Sequence, residues 1–145
     1  MEDKRTPVSD IELFEFQKEI GVALPQGYID FLKVVDGGVV DEDNNLFYSV
    51  PKDFDDDCVE LFSLYALVKG GEYQTVRSNY FCYQGRIPSG LLAIGEDGFG
   101  NQICINCDSK KLGQIYFWNH ENLKIYPLAS NLSNFFKGLR CERPN

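Results

Sequence analysis

LLAIGEDGFGNQICINCDSKKLGQIYFW, residues 91–118, is the stretch on which the fold turns. It holds three short runs, 91–95, 102–106 and 114–118, that are apolar or alternate apolar with polar. Each is too short for a globular helix and is bounded by Gly, Asp and Asn, the residues that bend the chain, so each is expected as a strand. The connections 96–101 and 107–113 are too short to carry a crossover. Neighbouring strands therefore run antiparallel. A fourth strand is expected over 124–128, ahead of a last helix capped by Ser130 or Asn131, with Leu132, Phe135, Phe136 and Leu139 on its buried face.

Upstream the period changes from two to 3.6. Ser9-Asp10-Ile11-Glu12 is a capping box, in which the serine hydroxyl and the glutamate carboxylate each satisfy an orphan backbone N–H. Ile11 with Phe14, and Leu13 with Phe16 and Ile20, follow at helical steps, predicting a helix over 9–20 that Gly21 stops. A second helix starts at Pro25, where a missing N–H costs nothing. It carries Tyr28, Phe31, Leu32 and Val35 as one stripe and is expected to end at Gly37-Gly38. The two make a helical hairpin. Between hairpin and sheet the expectations are short strands at 39–40 and 46–50 around an acidic turn 41–45, a charged loop 52–57, a strand 59–64, and a helix 72–83 with Tyr73, Val76, Tyr80 and Tyr83 on one side. The class is α+β: one domain over 1–145, its first eight residues frayed, with a mainly antiparallel sheet and the helical hairpin and C-terminal helix packed on one face.

A chain of 145 residues fits one domain, and 43% hydrophobic with 14% aromatic residues supply a core that disordered chains lack. The 14 basic and 22 acidic residues leave a net charge of −8, which argues against nucleic acid and against an anionic membrane and favours encounter with a basic partner. No apolar run of about 18 residues predicts a membrane span, and the polar start MEDKRTPVSD is unlike a secretion signal. A cytoplasmic location is expected. The five cysteines, an odd number, are then reduced thiols.

The constellations that could carry chemistry point away from it. Cys104 and Cys107 have C-x-x-C spacing, but only Cys82 and His120 stand as further ligands, and the pair lies in a strand and its exit turn instead of opening a helix. His120, the sole histidine, has no nucleophile motif beside it. The acids near residue 55 lack the Gly and bidentate Glu of a calcium loop. Gly95-Glu96-Asp97-Gly98-Phe99-Gly100-Asn101 precedes a strand, carries no Lys and holds two acids, so it is a turn and not a phosphate cradle. No catalytic residue, metal or cofactor is assigned. The candidate partner-binding residues are the acidic ones: Asp41, Glu42 and Asp43; Asp53, Asp55, Asp56 and Asp57; and Glu96 with Asp97. Phe99 and Tyr126 lie outside the expected core and are candidates for an interface.

Four segments in order, LPQGYIDFLKVVDGG (24–38), LLAIGEDGFGNQICIN (91–106), GQIYFWNHE (113–121) and YPLASNLSNFFKGL (126–139), closely resemble the SUKH superfamily, which groups the fungal Smi and Knr cell-wall-assembly regulators with bacterial immunity proteins. The likeness runs from about residue 9, with residues 42–86 matching mostly in length and pattern. Its matching positions, Leu24, Pro25, Tyr28, Phe31, Leu32, Gly37, Gly38, Ile94, Gly100, Asn101 and Trp118, are expected to be core and turn residues. Gln17 stands where relatives often carry Glu, which removes any ion pair of that acid. The resemblance implies an α+β fold, no enzymatic activity, and an immunity protein that neutralises a cognate toxin, often a basic nuclease, by binding it. A regulatory or adaptor role is the alternative that the fungal relatives imply.

Overall fold

Ser9 opens the first helix as the sequence predicts. In the computed structural model, which describes residues 7–39, 46–49, 58–69 and 74–141, its hydroxyl accepts the Glu12 N–H at 3.2 Å while Glu12 Oε1 accepts the Ser9 N–H at 3.2 Å. Helix α1 (Asp10–Ile20) ends on Gly21 and buries Leu13, Phe16 and Ile20. Ile11 and Phe14 are not part of that face; they stand 70% and 66% exposed. Gln17 Oε1 accepts the Leu24 N–H at 2.8 Å, tying the helix to the connection that follows. Helix α2 (Gln26–Leu32) is capped by Pro25 and buries Tyr28 and Leu32, with Phe31 half-buried.

The second helix is shorter than its apolar stripe suggests: it ends at Leu32, and the chain enters the sheet at Gly38. Asp36 Oδ1 accepts the Leu67 N–H at 2.8 Å, and Gly38 already belongs to β1 (Gly38–Val39). That strand pairs with β4 (Ser63–Leu64), not with β2 (Leu46–Ser49). The run 59–64 is likewise two strands broken at Phe62: β3 (Cys58–Leu61) pairs with β2 in a two-stranded sheet, and β4 joins the main one. The acidic turn 41–45, the loop 52–57 and Tyr73 lie outside the described residues. Helix α3 (Val76–Cys82) starts later than expected, at a capping box between Thr75 and Ser78.

The expected hairpins form. Strands β5 (Leu91–Glu96), β6 (Gln102–Asn106), β7 (Ile115–Trp118) and β8 (Ile125–Ala129) complete a six-stranded antiparallel sheet in the order β1-β4-β5-β6-β7-β8. All of residues 102–105 and 115–118 are buried, so the sheet's centre is covered on both faces. Helix α4 (Leu132–Gly138), capped by Asn131, buries Leu132 and Phe135. Its rings tie distant elements together: Phe135 stacks on Tyr48 of β2 at 4.9 Å and Phe136 meets Phe31 of α2 at 5.1 Å. The result is a mixed α+β fold, mainly antiparallel, with N-terminal helices and a C-terminal helix. Tyr126, expected outside the core, is inside it.

Candidate protein-binding surface

One row of paired residues crosses the whole main sheet: Val39, Ser63, Glu96, Gln102, Trp118 and Ile125 are partners in succession. The row marks one end of the sheet. Beyond it project the β5–β6 turn (97–101), the β7–β8 turn (119–124) and Phe62, whose N–H donates to the Glu96 carbonyl at 2.9 Å. In sequence, the acids Asp41, Glu42 and Asp43 follow Val39 by two to four residues; they and Asp53, Asp55, Asp56 and Asp57 lie outside the described residues.

The β5–β6 turn is organised by its own acid. Asp97 is buried; its Oδ1 accepts the N–H groups of Phe99 (2.8 Å) and Asn101 (3.2 Å), and its Oδ2 accepts Asn101 Nδ2 at 2.8 Å. This is the aspartate turn chemistry of a carboxylate bonding its own backbone two residues on. Asp97 therefore holds the turn and presents no free carboxylate to a partner. Glu96 is half-buried and accepts the Tyr65 hydroxyl at 2.8 Å. Burial, then the Glu96 charge, pushes the Tyr65 hydroxyl far above its ordinary range.

Asn101 joins this turn to the next one. Its Oδ1 accepts the His120 N–H at 3.0 Å, and the His120 ring lies across Gly100, where a Cβ would come within 3.2 Å of Nε2. Gly100 has φ 93°, so both the conformation and the contact require glycine. The second turn is closed by Asn119, whose side chain accepts the N–H groups of Glu121 (2.8 Å) and Asn122 (3.3 Å) and whose carbonyl accepts the Leu123 N–H at 2.8 Å. Leu123 has φ 62°, the single positive φ outside glycine among the described residues.

Apolar side chains stand in solvent at this end of the sheet: Phe99 is 71% exposed, Leu123 52% and Phe62 46%. Phe99 was legible as an apolar residue outside the core. Phe62 and Leu123 were not, since one hides in a continuous strand pattern and nothing in the sequence marks a left-handed leucine.

Cys104 and Cys107 are held as neutral thiols. Burial pushes the Cys107 thiol up to about 12 and that of Cys104, fully buried, higher still, so both stay protonated near neutrality and are poor nucleophiles. Cys82 is exposed, and among the described residues no three His, Cys, Asp or Glu side chains converge as a metal set. A cavity of about 480 Å³ lies where Ile20 and Val22 meet α3 and β5. Its lining includes Asn79, whose Nδ2 has no hydrogen-bond partner, and Arg86, which lies over Tyr83 and Trp118 at 5.1 and 5.7 Å. No base stands beside a nucleophile there.

Residues 7–138 match the model of the SMI1 / KNR4 family (SUKH-1). The chain belongs to that family. SUKH-1 and its kin include toxin immunity proteins and are in general non-enzymatic immunity or regulatory proteins. A relative, the SPbeta prophage-derived uncharacterized protein YokK of Bacillus subtilis (strain 168), is 30% identical over 122 residues, covering 76% of this chain and 61% of its own length. The chain thus spans about three-fifths of that relative. No solved structure matches. Most of the SUKH-1 positions noted in the sequence are buried in this chain. Leu24, Pro25, Tyr28, Leu32, Gly37, Gly38, Ile94 and Trp118 are buried, Phe31 half so, and Gly100 with Asn101 forms the joint between the two turns. None of the described helices is long and apolar enough to cross a membrane.

Proposed function

We propose that this chain is an immunity protein that binds and neutralises a cognate bacterial toxin in the cytoplasm, by contact and without catalysis. The observation that carries the reading is membership of a family that includes immunity proteins, over residues 7–138. Charge supports a basic toxin, for which a nuclease is the natural class. The net charge is −8, and Asp41, Glu42, Asp43, Asp53, Asp55, Asp56 and Asp57 place seven acids within 17 residues. A nuclease presents a basic groove that receives phosphates. Carboxylates offered to it act as phosphate surrogates and steer a fast encounter. A regulatory or adaptor role is the second reading, favoured by the Smi and Knr regulators grouped in the same family.

The two part in one experiment. The chain is co-expressed with the C-terminal domain of the protein encoded beside its gene. Restored growth, and a one-to-one complex whose on-rate falls as salt is raised, is the expected result. Growth arrest that persists, with the two proteins eluting separately, removes the immunity reading.

A further inference from the structure

We propose that the cavity where Ile20 and Val22 meet α3 and β5 is a binding site for a small apolar carboxylic acid. Arg86 holds the carboxylate, and Asn79 holds a carbonyl oxygen in the acid's apolar part. The inference does not depend on the immunity reading.

Size and walls suit a small molecule. The cavity holds about 480 Å³, and small-molecule sites run from roughly 300 to 1,000 Å³. Its walls are largely apolar: Ile20 and Leu92 are buried there, with Val22 and Leu91 half-buried.

The electrostatics of the lining call for an anion. Arg86 is its single charged residue. Residues 73–95 hold two arginines and no acid, on a chain with 22 acidic residues. Arg77 is paired with Glu19 through two hydrogen bonds of 2.7 Å. The Arg86 guanidinium, among the described residues, meets only the rings of Tyr83 and Trp118. Stacking on ring faces leaves the N–H edge of the guanidinium free, and that planar fork matches a carboxylate. The turn that carries it is fixed, because the Arg86 and Ile87 N–H groups both donate to the Tyr83 carbonyl, at 3.0 and 3.1 Å. One cation on a chain of net charge −8 suits a monoanion and disfavours a polyanion such as a nucleotide.

Asn79 is an independent observation. It lies within α3, is 2% exposed and lines the cavity, yet its Nδ2 has no acceptor. A buried amide donor left unpaired is costly, and a leucine would fill similar space without that cost. A carbonyl oxygen brought in by the ligand satisfies it. Arg86 is exposed and Asn79 is not, so the carboxylate stays at the rim and the carbonyl lies inside.

The test titrates the full chain with 7-oxooctanoate, read by calorimetry. Two analogues serve as controls: 7-oxooctanamide lacks the charge, and 7-methyloctanoate keeps the shape without the carbonyl. The oxo acid is expected to bind with a Kd of about 1 mM or tighter, as a ligand of this size allows. Each analogue is expected to bind about 10-fold more weakly. Arg86→Gln is expected to erase the preference for acid over amide and leave the preference for carbonyl over methyl. Asn79→Leu is expected to do the reverse while melting no lower than the parent. A variant that merely misfolds loses both preferences together. Failure of all three compounds to saturate the parent chain up to about 10 mM overturns the site. Equal binding of oxo and methyl acids overturns the role of Asn79, whose donor is then met by water. Equal binding of acid and amide overturns the role of Arg86 and the anionic class with it.

Discussion

Gly37 has φ 87°, and a Cβ built there would stand 2.5 Å from the Ala66 amide nitrogen and 2.9 Å from its Cα. Neither neighbour is the end of a flexible side chain, so the clash cannot be relieved by a rotamer change. The close approach is what sets Asp36 on the Leu67 N–H and starts β1 beside β4. Gly37→Ala is expected to cost about 3 kcal/mol or more, because an unfavourable φ and a backbone collision act together. Urea unfolding should show it as a lower midpoint with an unchanged slope. A shift of less than about 1 kcal/mol means that β1 moves aside easily and does not fix the N-terminal helices on the sheet.

Among the elements, the pair of turns at the sheet end is the unit that fixes that end of the fold. Asn101 is its joint. Asn101→Ala removes the acceptor of the His120 N–H and one donor to the buried Asp97 carboxylate, which should cost about 1–3 kcal/mol. Hydrogen exchange should quicken at His120 in particular, and exchange there that stays as slow as in the parent means that the turns are held by something else. The hairpins themselves were legible, since a period of two bounded by Gly, Asp and Asn has one natural reading, and so was the Ser9 box. The length of α2 was not: Val35 continues the helical stripe, yet the helix ends at Leu32 and the chain joins the sheet from Gly38. The break at Phe62 was hidden too, because residues 59–64 form one unbroken strand-like run and partner choice splits it between two sheets. At the site, Asp97 looked like a surface acid. Which carboxylates of a Gly-rich turn face inward is decided by backbone N–H groups that a sequence does not display.

For the molecule as a whole, the buried acids make alkaline pH the revealing condition. Burial raises the folded-state pKa of Tyr28, Tyr65, Cys104 and Cys107, with the charges of Asp36 and Glu96 adding to it at the two tyrosines. Take Cys107, with its thiol near 9 when unfolded and pushed up to about 12 when folded. Below pH 9 both states hold the proton and its contribution is fully present. Between 9 and 12 the unfolded chain gives the proton up while the folded chain keeps it, so unfolding gains up to about 1.4 kcal/mol per pH unit from this group. Cys104 and the tyrosines act in the same direction. The urea midpoint is therefore expected to fall steeply once pH exceeds 9, and Cys107→Ala to make the fall shallower between 9 and 12 without abolishing it. An identical slope in the variant means that the thiol ionises in place and that the strand exit is open to water. If instead the slope eases, the centre of the sheet is shut to hydroxide and to electrophiles alike. Chemistry is then denied to the interior of the sheet.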